Sequence, residues 1–369
     1  MKNRIFKNIT AILERDAKST SYKFALLRAV IDISLDNSPF IKSSEKRIEI
    51  PMGLLIEKWI LYYYPLFEAK RNIPQISGRN KLSFQDELIE LIEIYQKKGG
   101  LSKFYNDLRG SGIHSNDQQV VFNLAKKMKR TITGMPMKHI GYSITNEYYS
   151  IFNYEKNIRT REFENLEKLV DQFGKFSIPK EYYQGFKLFG SFINGYDSVL
   201  FKWAEDSVNR SNKELSISYV LDNILKRPVT NRDVAASKKL YKKLLKDKGK
   251  VACVWTDRKG TNYDIDHIIP FSIWKNNDLW NLMPSDSQVN GNKKDKVPSP
   301  LIINRQKDKI IYYWELCAKS KYEKRFFQEL KVSLIGEQSM SNWKSIAFSQ
   351  LKNNCDYLIN ERGYVSWKA

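Results

Sequence analysis

Histidine and cysteine are scarce in this chain, three of each in 369 residues. Three cysteines exclude a disulfide framework and fit a reducing, cytoplasmic setting. Long apolar runs are missing. The longest, Ile60 to Phe67, contains Pro65 and falls far short of the ~20 residues that a membrane helix needs. Met1 to Asn8 lacks the apolar stretch of a secretory signal, and no basic amphipathic terminal helix or lipidation motif stands out, so no membrane partner is expected. Acidic residues are outnumbered, 41 against 62 Lys and Arg, for a formal net charge of +21. That balance favours a polyanionic partner. Low-complexity tracts, internal repeats and long linkers are absent as well. With 42% hydrophobic and 13% aromatic residues the chain has enough apolar side chains for real cores. At about 150 residues per domain, its length fits two or three domains.

The informative stretch runs from Tyr263 to Pro298. Tyr263-Asp264-Ile265-Asp266-His267-Ile268-Ile269 alternates and then turns β-branched, as a half-buried strand does, and Pro270 ends it. Val251 to Trp255 reads as a second strand. The polar, Gly-containing segment Thr256 to Asn262 between them reads as a hairpin loop. Downstream, Ser285 to Gln288 offers N-cap residues for a short helix carrying Asn290, Lys293 and Lys294. The expected order is therefore strand, strand, loop, helix. A carboxylate (Asp266), an imidazole (His267) and two carboxamides (Asn281 and Asn290) beside lysines, in a very basic protein, are the parts of a one-metal site that cuts phosphodiesters.

These residues resemble the HNH, or ββα-metal, endonuclease family: Asp-His at a strand end, then Asn281-Leu282, then Asn290 to Lys293, with Val297-Pro298-Ser299 following much as in the HNH domain of RNA-guided CRISPR nucleases. The resemblance covers residues 250–300. It implies that Asp266 and Asn290 hold one hard divalent cation, Mg²⁺ with Mn²⁺ as a substitute. It makes His267 the general base, Asn281 the residue that orients the base-carrying loop through backbone hydrogen bonds, and Lys293 a phosphate contact. Asn292 is a weaker ligand candidate. Many family members carry a zinc ion on two Cys-x-x-Cys pairs. Here Cys253 stands alone, with Ser285 and Val289 at other such places, so no structural zinc is expected. Packing by Trp255, Phe271, Ile273, Trp274, Trp280 and Leu282 should hold the motif instead.

Lysines crowd both flanks: Lys238, Lys239, Lys242, Lys243, Lys246, Lys248 and Lys250 before the motif, and Lys293, Lys294 and Lys296 after it. A solvated face explains any one run. Runs on both sides of such a motif favour a rim that contacts double-stranded DNA, and Lys242, Lys243, Lys246, Lys293, Lys294 and Lys296 are the named candidates. A second basic cluster, Lys126 to Arg130, reads equally well as a solvated helix face. His114 and His139 read as surface or structural residues, and Cys317 and Cys355 as buried small hydrophobes.

The remainder reads as mainly helical, so the expected fold is mainly α with an embedded ββα unit, α+β overall. The expected parts are a helical region at 1–235, the nuclease unit at 236–300 and a helical region at 301–369 packed on it. Helices are expected over Tyr22–Leu35 and Met52–Tyr64, and after a capping box at Ser83 to Asp86. Others should begin at Pro179, after a Thr230 cap in the cluster Thr230, Asn231 and Asp233, and after a Ser341 cap, with a short strand or hairpin near Tyr148 to Tyr154. A helical part followed by one HNH unit resembles the layout of the standalone HNH effectors of bacterial antiphage systems such as Zorya type II, as does the short segment Ser19 to Phe24. That implies a defence role and partner proteins of the same system. Two other roles compatible with the motif are a sequence-specific restriction or mobile-element endonuclease and a non-catalytic nucleic-acid-binding component of a larger assembly.

Overall fold

The computed structural model describes residues 8–9, 20–77, 81–140, 150–156, 158–191, 193–226, 229–256 and 258–368. Met1 to Lys7, Ser19, Tyr148, Tyr149 and Asp257, on which parts of the sequence reading rest, lie outside the described residues. The chain forms two compact units, residues 1–108 with 113–229 and residues 109–112 with 230–369.

The first unit is helical with one small sheet. Helix α1 (Tyr22–Leu35) is apolar almost all round and buried along most of its length. Strands β1 (Lys42–Ser43) and β2 (Arg47–Pro51) lead into α2 (Met52–Glu68). Helices α3 (Gln85–Gln96) and α4 (Ser115–Gly134) follow, then β3 (Asn153–Tyr154) and β4 (Lys175–Pro179), then α5 (Lys180–Ser191) and α6 (Ile193–Arg210). The sheet order is β1-β2-β4-β3, all antiparallel. Of its strands only β3 lies in a stretch, Tyr148 to Tyr154, that the sequence marks as a short strand or hairpin. Its strands span two to five residues, and β2 meets β4 far along the chain through the register pairs Ile48–Ile178 and Ile50–Phe176. In β2 the alternation is short, with Ile48 and Ile50 inward and Glu49 outward.

Two expected caps in this part of the reading need correction. The capping box at Ser83 does not form. The Ser83 hydroxyl pairs with Thr131, Gln85 Oε1 accepts the Leu82 N–H at 3.2 Å, and α3 begins at Gln85 without a side-chain cap. Thr230, in the second unit, caps no helix. There α7 (Ala235–Lys248) begins five residues later, where Asp233 Oδ1 accepts the Ala235 N–H at 2.8 Å.

In the second unit, α7 ends at Gly249, whose left-handed φ of 72° turns the chain into β5 (Val251–Ala252). Strand β6 (Lys259–Gly260) pairs with β5. Strand β7 (Asp264–His267) pairs with β8 (Leu282–Ser285), in the register Asp264–Ser285, Ile265–Pro284, Asp266–Met283 and His267–Leu282. This corrects the expected hairpin: the strand carrying Asp266 and His267 pairs with a later strand across a long loop, and β5 pairs only with the two residues of β6. Pro284 conceals β8 in the sequence, because a proline gives no N–H to a ladder. It is tolerated here because Ile265–Pro284 is a non-hydrogen-bonded pair, so β7 needs no N–H from it, and its carbonyl, facing away from β7, accepts the Val254 N–H at 2.9 Å.

Helix α8 (Ser287–Lys293) follows, then β9 (Val297–Pro298), α9 (Pro300–Arg305), α10 (Lys307–Ala318), α11 (Glu323–Leu330), α12 (Trp343–Asn360) and β10 (Ser366–Trp367), which runs parallel to β9. Ser341 does not cap α12. Ser339 instead accepts the Ser341 N–H, starting a short turn before Trp343. Trp255, Trp280, Leu282, Trp314, Leu351 and Trp367 belong to one buried core, with Ile273 and Trp274 packed against it, so the strands and the C-terminal helices share an interior. Trp314 Nε1 donates to the Trp280 carbonyl at 2.8 Å and Gln306 Nε2 to that of Trp255 at 3.1 Å. Among the described residues no helix is long and apolar enough to cross a membrane.

Candidate metal and phosphodiester site

Asp266 and His267 end β7, and both are nearly buried, 4% and 3% exposed. Such burial is costly for a charge unless partners compensate it. Asp266 has two: Trp255 Nε1 donates to one carboxylate oxygen at 2.7 Å, and Lys293 Nζ lies 3.0 Å from the other. Burial holds the Asp266 carboxyl above the usual carboxylate range, opposed first by the Lys293 ammonium. Lys293 is fully buried and also donates to the His267 carbonyl at 2.6 Å. The resemblance implies a phosphate contact for Lys293; in the structure its ammonium is engaged by Asp266 and the His267 carbonyl. The side chain turns inward from α8 because a position three residues after Asn290 shares its helix face.

Asp286 caps that helix, its Oδ1 accepting the N–H groups of Gln288 at 2.9 Å and Val289 at 3.2 Å. Asn290 Nδ2 donates to Asp264 Oδ2 at 3.2 Å, which leaves the carboxamide oxygen as an acceptor. Asn292, Lys294 and the α7 lysines Lys242, Lys243 and Lys246 are exposed, and Lys296 is half-buried.

The imidazole of His267 is held by hydrogen bonds that its ring N–H donates to the Asn277 side chain and the Asn276 backbone, and its Nε2 is buried without a partner. Burial, then the charges of Arg232 and Lys293, push its pKa down to about 3, so the ring is neutral at neutral pH. Asn281 pins the loop between β7 and β8. Its backbone carbonyl accepts the Ile268 N–H at 2.8 Å, Oδ1 accepts the Ile269 N–H at 2.8 Å, and Nδ2 donates to the Ile269 carbonyl at 2.9 Å. Removing a fully buried carboxamide leaves both Ile269 groups unsatisfied, at about 1–3 kcal/mol each. Asn281→Ala is therefore expected to destabilise the second unit by about 2–4 kcal/mol in urea denaturation. A loss below about 0.5 kcal/mol would show that the pin is dispensable.

Further residues of the site escaped the sequence reading. Asn276, Asn277 and Asp278 form a buried polar triplet between Lys275 and Leu279, and in sequence they read as an ordinary polar loop. Asp278 accepts from Trp280 Nε1 at 3.0 Å and Ser333 Oγ at 2.8 Å, with Arg109 Nη2 at 3.4 Å. Glu329 Oε2 accepts the Leu279 N–H at 2.6 Å, and its other oxygen lies 2.6 Å from Arg325 Nε. Burial pushes the Glu329 carboxyl up to about 7 against the opposing Arg325 charge. Arg325 also donates to the Asn277 carbonyl at 3.2 Å. Arg232, exposed at the chain's approach to α7, donates to the Ile265 carbonyl at 3.0 Å.

The donor set suits a hard cation. Asp266 offers a carboxylate and Asn290 a carboxamide oxygen, with the Asp264 carboxylate hydrogen-bonded to the same Asn290. Among the described residues there is no group of three or more His, Cys, Asp and Glu that could cage a metal. A cation on Asp266 and Asn290 would keep most of its coordination as water, as Mg²⁺ does. Cys253 is buried, with its sulfur 3.9 Å from Ser285 Oγ.

Comparison with known proteins gives a match in each unit. Residues 256–299 match a family model described as HNH endonuclease. No curated protein and no solved structure matches the chain. Residues 2–224 match the model of a domain of unknown function, DUF8808, and with more than half of its length matched the chain belongs to that family.

Proposed function

We propose that this protein is a metal-dependent DNA endonuclease that hydrolyses one phosphodiester per event, with Mg²⁺ as its cation and His267 as its base. The observation that carries the reading is a strand that ends on a buried carboxylate, Asp266, and a buried imidazole with an unpartnered Nε2, beside a helix whose Lys293 bonds Asp266 and whose Asn290 bonds Asp264 on the same strand. Asp266 and Asn290 would hold the cation. When bound, it would neutralise charge on the phosphoryl and leaving oxygens.

The chain's own residues do the rest. Asn276 and Asn277 fix the imidazole plane. His267 Nε2 takes the proton of the attacking water as the new P–O bond forms and the bond to the departing sugar oxygen breaks. Because Nε2 is buried, the side chains around it must part for that water to reach it. The exposed lysines of α7, with Lys294 and Lys296, suit a polyanion along the approach. One such site cuts one strand, so a monomer nicks. The resemblance of the layout to standalone antiphage effectors supports a role in defence.

The test incubates the full chain with supercoiled plasmid and Mg²⁺, beside EDTA and Asp266→Ala controls. Conversion to open circles only by the intact protein with metal is expected. Plasmid left supercoiled with both Mg²⁺ and Mn²⁺ would instead favour a nucleic-acid-binding module.

A further inference from the structure

We propose that Arg232 is a phosphate-binding residue of this site, its guanidinium contacting a phosphate oxygen beside the scissile bond; this rests on the phosphodiester reading above. Arg232 falls between the two segments matched by family models, 2–224 and 256–299. Three observations place it at the chemistry.

First, its Nη2 donates to the Ile265 carbonyl at 3.0 Å, one residue before Asp266. Ile265 and Pro284 form a non-hydrogen-bonded pair of the antiparallel register, so the Ile265 carbonyl points away from β8 and this side chain takes it up at the strand edge beside Asp266. Second, the backbone on both sides of Arg232 is clamped by one carboxamide. Asn277 Nδ2 donates to the Asn231 carbonyl at 2.8 Å, and Asn277 Oδ1 accepts the Asp233 N–H at 2.8 Å. The same Asn277 hydrogen-bonds the His267 ring, so the arginine and the base are positioned by one residue. Third, among the described residues Arg232 forms no ion pair, and the residue is exposed.

A guanidinium has five N–H donors in a planar fork, and the Ile265 carbonyl uses one of them. An edge carbonyl near solvent needs no arginine, since water or a neutral amide would serve it. The unused donors and the permanent charge match the paired oxygens of a phosphodiester. Lys293, the other nearby cation, is committed to Asp266 and the His267 carbonyl. Arg232 is thus the cation of the site whose charge is turned to solvent.

The experiment measures two quantities on the full chain and on Arg232→Gln and Arg232→Lys. One is the salt dependence of binding to a duplex oligonucleotide in EDTA. The other is the single-turnover cleavage rate with Mg²⁺. Glutamine keeps a donor for Ile265 without the charge, and lysine keeps the charge. If Arg232 binds phosphate, Arg232→Gln lowers the slope of log K against log salt by about one, Arg232→Lys restores it, and cleavage by Arg232→Gln falls about a hundredfold. An unchanged slope in Arg232→Gln overturns the proposal, whatever happens to cleavage, and leaves the arginine as an edge cap. Absence of cleavage by the unsubstituted protein sinks the endonuclease reading instead, and the slope still decides Arg232.

Discussion

His267→Ala is expected to lower the single-turnover rate of DNA cleavage about a thousandfold while DNA binding in EDTA stays within twofold. A positioned general base contributes about 10²–10⁴ in rate, and this one is neutral at working pH and oriented by Asn276 and Asn277. The imidazole contributes no charge to binding, which explains the split between rate and affinity. The variant should fold, because the loop after His267 is held independently. Asn281 makes both side-chain bonds to Ile269, Glu329 accepts from Leu279, and Trp314 donates to Trp280. What is lost is one ring against Phe271, 5.5 Å away between centroids, and its hydrogen bonds to Asn276 and Asn277. A thermal melt beside the kinetics separates a folding defect from a chemical one. A variant that melts like the parent and cuts at the parental rate would remove His267 from the mechanism.

The parts of this molecule that could be read from sequence are those fixed by neighbours along the chain. Helix α1 spans the expected Tyr22–Leu35, because its apolar face is continuous. The helix carrying Asn290 and Lys293 begins where Asp286 can cap it. The parts that could not be read depend on distant partners. Strand β8 is recognisable only through its pairing with β7, and the β2–β4 pairing joins segments more than a hundred residues apart. At the site, the residues of one short motif were visible, and their direction was not. The family resemblance implies a phosphate contact for Lys293. The structure turns it onto Asp266, a preference set by the burial of that carboxylate. Arg232, Asn277 and Glu329 come from three separate stretches and meet only through the packing of the second unit.

The inward Lys293 carries the other large expected effect. Its ammonium is the nearest cation to a carboxylate only 4% exposed, and Trp255 Nε1 supplies the other hydrogen bond. Removing one member of a buried pair strands the other, at about 3–5 kcal/mol. Lys293→Met is therefore expected to lower the melting midpoint of the second unit by on the order of 10 °C, at about 2–4 °C per kcal/mol. Asp266→Asn with Lys293→Met should recover most of that loss, because no uncompensated charge remains; the shortfall from additivity measures the pair. The same geometry sets a contest for Asp266. A divalent cation on this carboxylate takes over the role of the ammonium 3.0 Å away, so the two compete. Titrating Mg²⁺ during melting should raise the midpoint of Lys293→Met more than that of the parent, through ligand linkage, and should leave the double variant unmoved. Equal shifts in the parent and in Lys293→Met would show that the lysine does not stand in the cation's place. A shift in the double variant as large as in Lys293→Met would move the metal away from Asp266 altogether.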